Sequence, residues 1–237
     1  MRKDVYKRHI ENFKNHWWFE SRKNIIEKVL HKIIKKNINI LDYGSGSGVN
    51  IKMLSKFGKV DIFEPHKQTA KYLNKKYSNK KFQILKKISN TKYDLIVLAD
   101  VLEHIKKDKK KIKELSRKLK KNGKILITVP AYKILFTKKD VILGHYRRYT
   151  ISEIKNIFYE FKIIKLSYFN FFLFIPISIS LIIYKILKSD FIDSVEKKPN
   201  FFLNLLLFSI FNFESKIINI FNLPFGISIL GVFEKDD

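Results

Sequence analysis

The sequence predicts an α/β protein whose mostly parallel sheet is covered by helices on both faces. Three observations predict it: short apolar runs recur through the first two-thirds of the chain, segments of helical period separate them, and the first run ends in a glycine turn. The runs are 38–43, 59–64, 81–86, 93–98 and 124–129. Runs of this length suit strands. Lys-rich connections with apolar residues at helical spacing, such as Ile112, Leu115 and Leu119, suit crossover helices.

Ahead of the first run, Ile25, Ile26, Val29, Leu30 and Ile33 mark an amphipathic leading helix. Beyond the fifth run, 152–158 reads as a helix and 161–170 as a strand. The chain has no internal repeat and no Pro/Gly/Ser-rich linker. Its 237 residues fit one large domain, or one domain with a substantial appendage.

Composition divides the chain in two. The formal net charge is +26, yet the portion from Phe161 onward holds eight Lys against seven acidic residues, so almost all the excess precedes it. That same last third holds 14 of the 21 Phe. Only six cations are Arg (2, 8, 22, 117, 147 and 148), and abundant Lys, Ile, Asn and Phe together resemble the bias of an A+T-rich coding sequence. The excess Lys is therefore weak support for nucleic-acid binding. Cys 0 excludes a disulfide framework, a cysteine-ligated metal and a thiol nucleophile. The first 14 residues carry no apolar signal-peptide region, which leads us to expect a cytoplasmic start.

The most informative string is Asp42-Tyr43-Gly44-Ser45-Gly46-Ser47-Gly48. A strand running into alternating glycines lets the backbone approach a ligand closely and turn sharply toward a helix. The next run ends in Phe63-Glu64-Pro65, where a carboxylate suits a ribose diol. With the later string Asp94-Leu95, then Asp100-Val101-Leu102-Glu103-His104, the chain resembles the class I S-adenosylmethionine (SAM)-dependent methyltransferases over roughly residues 20–170. That resemblance implies a seven-stranded Rossmann-like sheet and SAM as cofactor. Gly44, Gly46 and Gly48 would line its methionine part, Asp42 would orient the turn, Glu64 would hold the ribose hydroxyls, and Ala99, Asp100 and Val101 would flank the cofactor. One departure is that 84–88 lacks the acidic residue that often receives the adenine amino group, so no adenine contact is assigned.

Two outlying strings, His16-Trp17-Trp18-Phe19-Glu20-Ser21-Arg22 and Gly144-His145-Tyr146-Arg147-Arg148-Tyr149-Thr150, resemble a bacterial subgroup of the family that accompanies glycan- and lipid-modifying enzymes. The first could be a lid whose Arg22 meets the SAM carboxylate, or an aromatic staple for the helix. The second spends two of only six Arg in a Lys-rich chain. Planar guanidinium groups bind phosphate or carboxylate in bidentate fashion, so Arg147 and Arg148 point to an anionic acceptor, with His145 as the base for its hydroxyl. Alternatively, one Arg pairs with Glu64, Asp140 or another carboxylate. His104 is a weaker candidate, and no metal ligand is assigned.

Segment 166–184 contains no charged residue, nor do 199–213 and 217–233. The first overlaps the expected sixth strand and the third overlaps a seventh near 226–233, which leaves two apolar helices over 171–188 and 200–222. They suit an interfacial hairpin better than two membrane spans, or else a cap in which they bury each other over the substrate mouth. The expected organisation is a leading helix or lid (1–37), a cofactor-binding core (38–170), the apolar insertion (171–222) and a final strand (223–237). The expected reaction is methyl transfer to an oxygen of a small, glycan or lipid-linked acceptor at the cytoplasmic membrane surface. An RNA methyltransferase and a non-catalytic membrane adaptor are the rival readings.

Overall fold

A computed structural model describes residues 16–77, 82–88, 90–186 and 199–236. The first 14 residues, position 81, the end of the first apolar helix near 188 and the last residue lie outside them. The helices are α1 (Trp17–Ile33), α2 (Ile51–Leu54), α3 (Lys67–Lys76), α4 (Asp108–Ser116), α5 (Lys138–Leu143), α6 (Ile151–Ile157), α7 (Phe174–Ile186) and α8 (Phe201–Ile217). The strands are β1 (Ile38–Tyr43), β2 (Gly58–Phe63), β3 (Phe82–Leu85), β4 (Tyr93–Ala99), β5 (Leu119–Pro130), β6 (Phe161–Phe169) and β7 (Ser228–Lys235). Two short 3-10 helices follow β4 and β5, at Leu102–His104 and Lys133–Leu135.

The strands form one sheet in the order β3-β2-β1-β4-β5-β7-β6. All neighbours pair in parallel except β7, which is antiparallel to β5 and to β6. Chain direction across the sheet reverses between β1 and β4, and ligands of open α/β sheets bind beyond the strand ends at such a switch point.

Strand alternation builds two cores. Ile40, Leu95, Val97 and Leu126 pack beneath α1, with Ile25, Ile26, Val29 and Leu30. Their neighbours Leu41, Ile96, Leu98, Ile125 and Ile127 face the other way, toward Ile112, Leu115, Ile154 and Phe158. The period of two puts successive side chains on opposite faces, so an apolar residue at each position makes a strand buried on both. Leu119 differs from its expected place: it opens β5, opposite Tyr93, instead of continuing α4.

The alternative of a cap in which the two apolar helices bury each other does not match the packing of the described residues. α8 packs along α1, turning Phe211, Glu214 and Ser215 inward, while α7 rests on the 3-10 helix Lys133–Leu135. Polar contacts explain the preference of α8: Asn204 Oδ1 accepts from the Trp17 backbone N–H at 3.0 Å, and Asn24 Nδ2 donates to Asn212 Oδ1 at 3.0 Å. Trp18 and Phe169 close the seam against Phe211. Among the described residues no helix is long and apolar enough to cross a membrane.

Candidate active site

The glycine turn sits at the C-terminal end of β1, and hydrogen bonds to β2 shape it. Gly44 N–H donates to the Phe63 carbonyl at 2.7 Å. Glu64 accepts from Gly46 N–H through Oε2 and from His66 N–H through Oε1, each at 2.8 Å. Asp42 accepts from the Ser45 hydroxyl at 2.5 Å. The glycines serve different ends. Gly46 adopts φ +55°, and a Cβ there would meet nothing within 4 Å, so its bare backbone faces open space. A Cβ on Gly44 would stand 2.8 Å from Val101 Cγ2, so that glycine instead lets the β4 loop close over the turn. Gly48 is enclosed by Ile51, Leu73 and Tyr77.

Acidic groups crowd beneath this turn. Burial pushes the Asp42 carboxyl up to about 6, and the Ser45 hydrogen bond only partly offsets it. Burial also raises Glu64, despite its two backbone hydrogen bonds, and lifts Glu103 to about 8. Arg22 enters from α1 as their counter-ion and pairs with Asp100. Burial lowers its guanidinium to about 10, against the opposing fields of Glu103 and Asp42. The sequence suggested that Arg22 meets the SAM carboxylate, whereas here its partner is Asp100. Asp100 itself sits at φ +55°, held by Thr128, whose hydroxyl donates to Oδ1 at 2.7 Å. A ligand that carries positive charge beside the open glycine, as SAM does on its sulfonium and ammonium groups, would favour the ionised forms of these raised carboxyls.

The second half of the site lies beyond β4 and β5. Asp140, from α5, is 1% exposed and saturated: Arg148 donates Nε to Oδ1 at 3.0 Å and Nη2 to Oδ2 at 3.1 Å, and Thr137 N–H donates to Oδ2 at 2.9 Å. Burial alone would raise this carboxyl, but the His145 hydrogen bond and the Arg148 charge outweigh it and hold Asp140 at about 2. An ionised carboxylate only accepts, so His145 Nδ1, 2.9 Å from Asp140 Oδ1, carries the proton and Nε2 the lone pair. His104 Nδ1 lies 3.2 Å from the Gly144 carbonyl and is likewise the protonated nitrogen. The two imidazoles stand edge to face with centroids 4.6 Å apart.

The expectation that both arginines face the acceptor is corrected for Arg148. Its side chain is buried and its guanidinium is committed to Asp140, because an unpaired carboxylate at that depth would be strongly unfavourable. Arg147 is on the rim, donating to Asp108 at 3.0 Å and to the Lys106 carbonyl at 2.9 Å. The loop thereby clamps the segment after β4: Tyr146 N–H donates to the Glu103 carbonyl at 2.8 Å, and the Tyr149 hydroxyl to Asp108 at 3.0 Å.

Sequence reasoning passed over two residues. Glu103 is 1% exposed, and among the described residues neither carboxylate oxygen has a hydrogen-bond partner. Its position inside a familiar motif hid it. Tyr132 holds φ +61°, rare for an aromatic residue, and stacks on Tyr168 with centroids 5.2 Å apart. Only the three-dimensional path of the chain reveals it.

Comparison with known proteins agrees with this geometry. A family model described as a methyltransferase domain matches residues 15–162. No curated protein sequence matches. Similar solved structures include a candidate methyltransferase from Bacillus halodurans C-125 (TM-score 0.57, 17% identity, 90% of this chain and 99% of that one). Another is the N-methyltransferase NodS of Bradyrhizobium japonicum WM9 in complex with S-adenosyl-L-homocysteine (TM-score 0.55, 11% identity, 92% and 88%). A candidate sarcosine dimethylglycine methyltransferase from Galdieria sulphuraria has TM-score 0.58 and 14% identity, over 92% and 86%. At such identities the structural likeness concerns the fold. The match to the family model covers more than half the chain, which therefore belongs to the methyltransferase-domain family and is a class I SAM-dependent methyltransferase. Its cofactor is SAM.

Proposed function

We propose that the chain methylates an oxygen of a hydrophobic or lipid-linked acceptor, glycan-bearing or anionic, that it meets at a membrane surface. The observation that carries this reading is where the apolar insertion emerges. β7 is antiparallel to both β5 and β6, so β6 runs parallel to β5 and ends at the same sheet edge as the glycine turn. The insertion leaves from that edge after Phe169 and returns to it at Ser228, which supports a role for it near the acceptor.

Both helices present apolar side chains outward. Ile175, Ile179 and Ile186 on α7, and Phe201, Phe202 and Leu206 on α8, are exposed. A soluble surface rarely carries so many large exposed apolar side chains on neighbouring segments without a function. The cationic first two-thirds of the chain adds attraction to anionic lipid that salt would screen.

SAM held there would supply an electrophilic methyl carbon on its sulfonium sulfur, for in-line transfer to an acceptor oxygen with release of the neutral thioether. The glycine turn, Asp42 and Glu64 orient the cofactor, with Ala99, Asp100 and Val101 beside it, so most of the acceleration comes from proximity and orientation. The proton of the acceptor hydroxyl is drawn off at the cluster of Glu103, His104 and His145. Arg148 acts through Asp140 to set the His145 ring, and Arg147 offers its rim-facing edge to an anionic group of the acceptor.

The test is incubation of the chain and labelled SAM with lipid, glycan and RNA fractions, alongside flotation on anionic and neutral liposomes at low and high salt. Label in a lipid or glycan fraction, with flotation reduced on neutral lipid or at high salt, supports the reading. Label confined to RNA, or a chain that ignores both liposomes, overturns it.

A further inference from the structure

We propose that Glu103, His104 and His145 bind a divalent transition-metal ion, and that this ion receives the acceptor hydroxyl. One ligand atom from each of the three residues lies within 4.8 Å of those of the other two. Nitrogen and oxygen ligands about 2.0 to 2.2 Å from one tetrahedral ion stand about 3.3 to 3.6 Å apart, so side-chain rotations of about 1 Å would close the site around it.

Three features favour an ion over a chance meeting of polar groups. Glu103 is a carboxylate 1% exposed whose two oxygens lack a hydrogen-bond partner among the described residues, although buried oxygens are nearly always satisfied. Both imidazoles direct Nδ1 at an acceptor, Asp140 for His145 and the Gly144 carbonyl for His104, and so carry the lone pair on Nε2. Metal-ligating histidines are held in this way, with the distal nitrogen fixed by a carboxylate or carbonyl. Finally, Arg148 and Thr137 fix the Asp140 side chain by hydrogen bonds, and Tyr146 N–H ties the His145 loop to the Glu103 backbone. The supporting layer is thus more elaborate than a lone base needs.

Two imidazoles and one carboxylate suit Zn²⁺, Fe²⁺ or Mn²⁺ and leave coordination positions open. A hydroxyl bound there gives up its proton to solvent water near neutral pH, leaving its oxygen on the ion. The acceptor oxygen then meets the methyl group as an alkoxide or phenoxide. This second half rests on the methyl-transfer reading above, while the metal site does not.

The experiment uses the untagged full chain stripped with chelator. Co²⁺ is titrated while its visible absorption is followed, and Zn²⁺ binding is measured by calorimetry. Saturation at one ion per chain is expected, weakened about 100-fold or more in His145→Ala and Glu103→Gln but not in His31→Ala, a distant surface control. SAM calorimetry on the same stripped samples reports the cofactor site separately. Circular dichroism confirms folding, and His145→Ala decides the matter if Glu103→Gln does not fold. No saturable binding, or equal binding in wild type and His145→Ala, overturns the proposal.

Discussion

The two halves of the candidate site are built differently. On the proposed cofactor side, Asp42, the glycines and Glu64 come from two adjacent strands and the turns that end them, and backbone amides hold most of the geometry. On the proposed acceptor side, Glu103 and His104 follow β4, Asp140 is on α5, and His145 and Arg148 lie on the next loop, joined by side-chain hydrogen bonds. The first arrangement leaves few residues free to change. The second can be rearranged one side chain at a time, as suits a fold that keeps one cofactor and varies its acceptors.

If the tail is the acceptor-presenting surface, its removal should have the largest effect and leave the cofactor side intact. Replacing Phe201, Phe202 and Leu206 together by Asp should abolish liposome flotation, since each buried apolar side chain contributes about 1.5 to 3 kcal/mol. SAM affinity by calorimetry should not change. Retained flotation would move the contact elsewhere.

A smaller effect concerns how the tail is anchored. Glu214 is fully buried and accepts from the backbone N–H groups of Asn170 and Phe171 at 2.5 and 2.7 Å, yet burial lifts its carboxyl to about 7 from an ordinary 4.5. The folded chain therefore keeps a proton that the unfolded chain releases. The resulting stability is fully present below about pH 4.5 and is lost as pH rises through about 7, with a ceiling of about 3 kcal/mol. Urea unfolding of wild type and Glu214→Gln across this range should show a shallower pH dependence in the variant. Parallel curves would assign the slope to other carboxyls.

The smallest effect sharpens the cofactor side. Glu64→Ala should weaken SAM binding by about 1 to 3 kcal/mol in calorimetry, with flotation unchanged. Unchanged affinity would remove Glu64 from the ribose site.

Most of the sheet was legible because alternating and helical periods are local properties. Residues 38–43 were read as a run and form β1, and the expected final strand near 226–233 is β7 within two residues at each end. Leu119 misled because an apolar residue four after Leu115 satisfies a helix as well as the start of a strand. The glycine turn was legible for the same local reason. Arg148 was singled out rightly as unusual, but its partner depends on where α5 folds. Glu103 could not be recognised as an unpartnered carboxylate, since partnership is decided by residues distant in sequence.

The placement of β7 has a consequence for how such a chain diversifies. Neighbouring antiparallel strands need no crossover, so the segment linking β6 to β7 can lengthen without re-threading the sheet. Loop-closure entropy rises only slowly, by about 0.6 kcal/mol for each doubling of length. The sheet edge is thus a socket: the part plugged into it can be exchanged for another, and the new part still departs from the edge that holds the glycine turn.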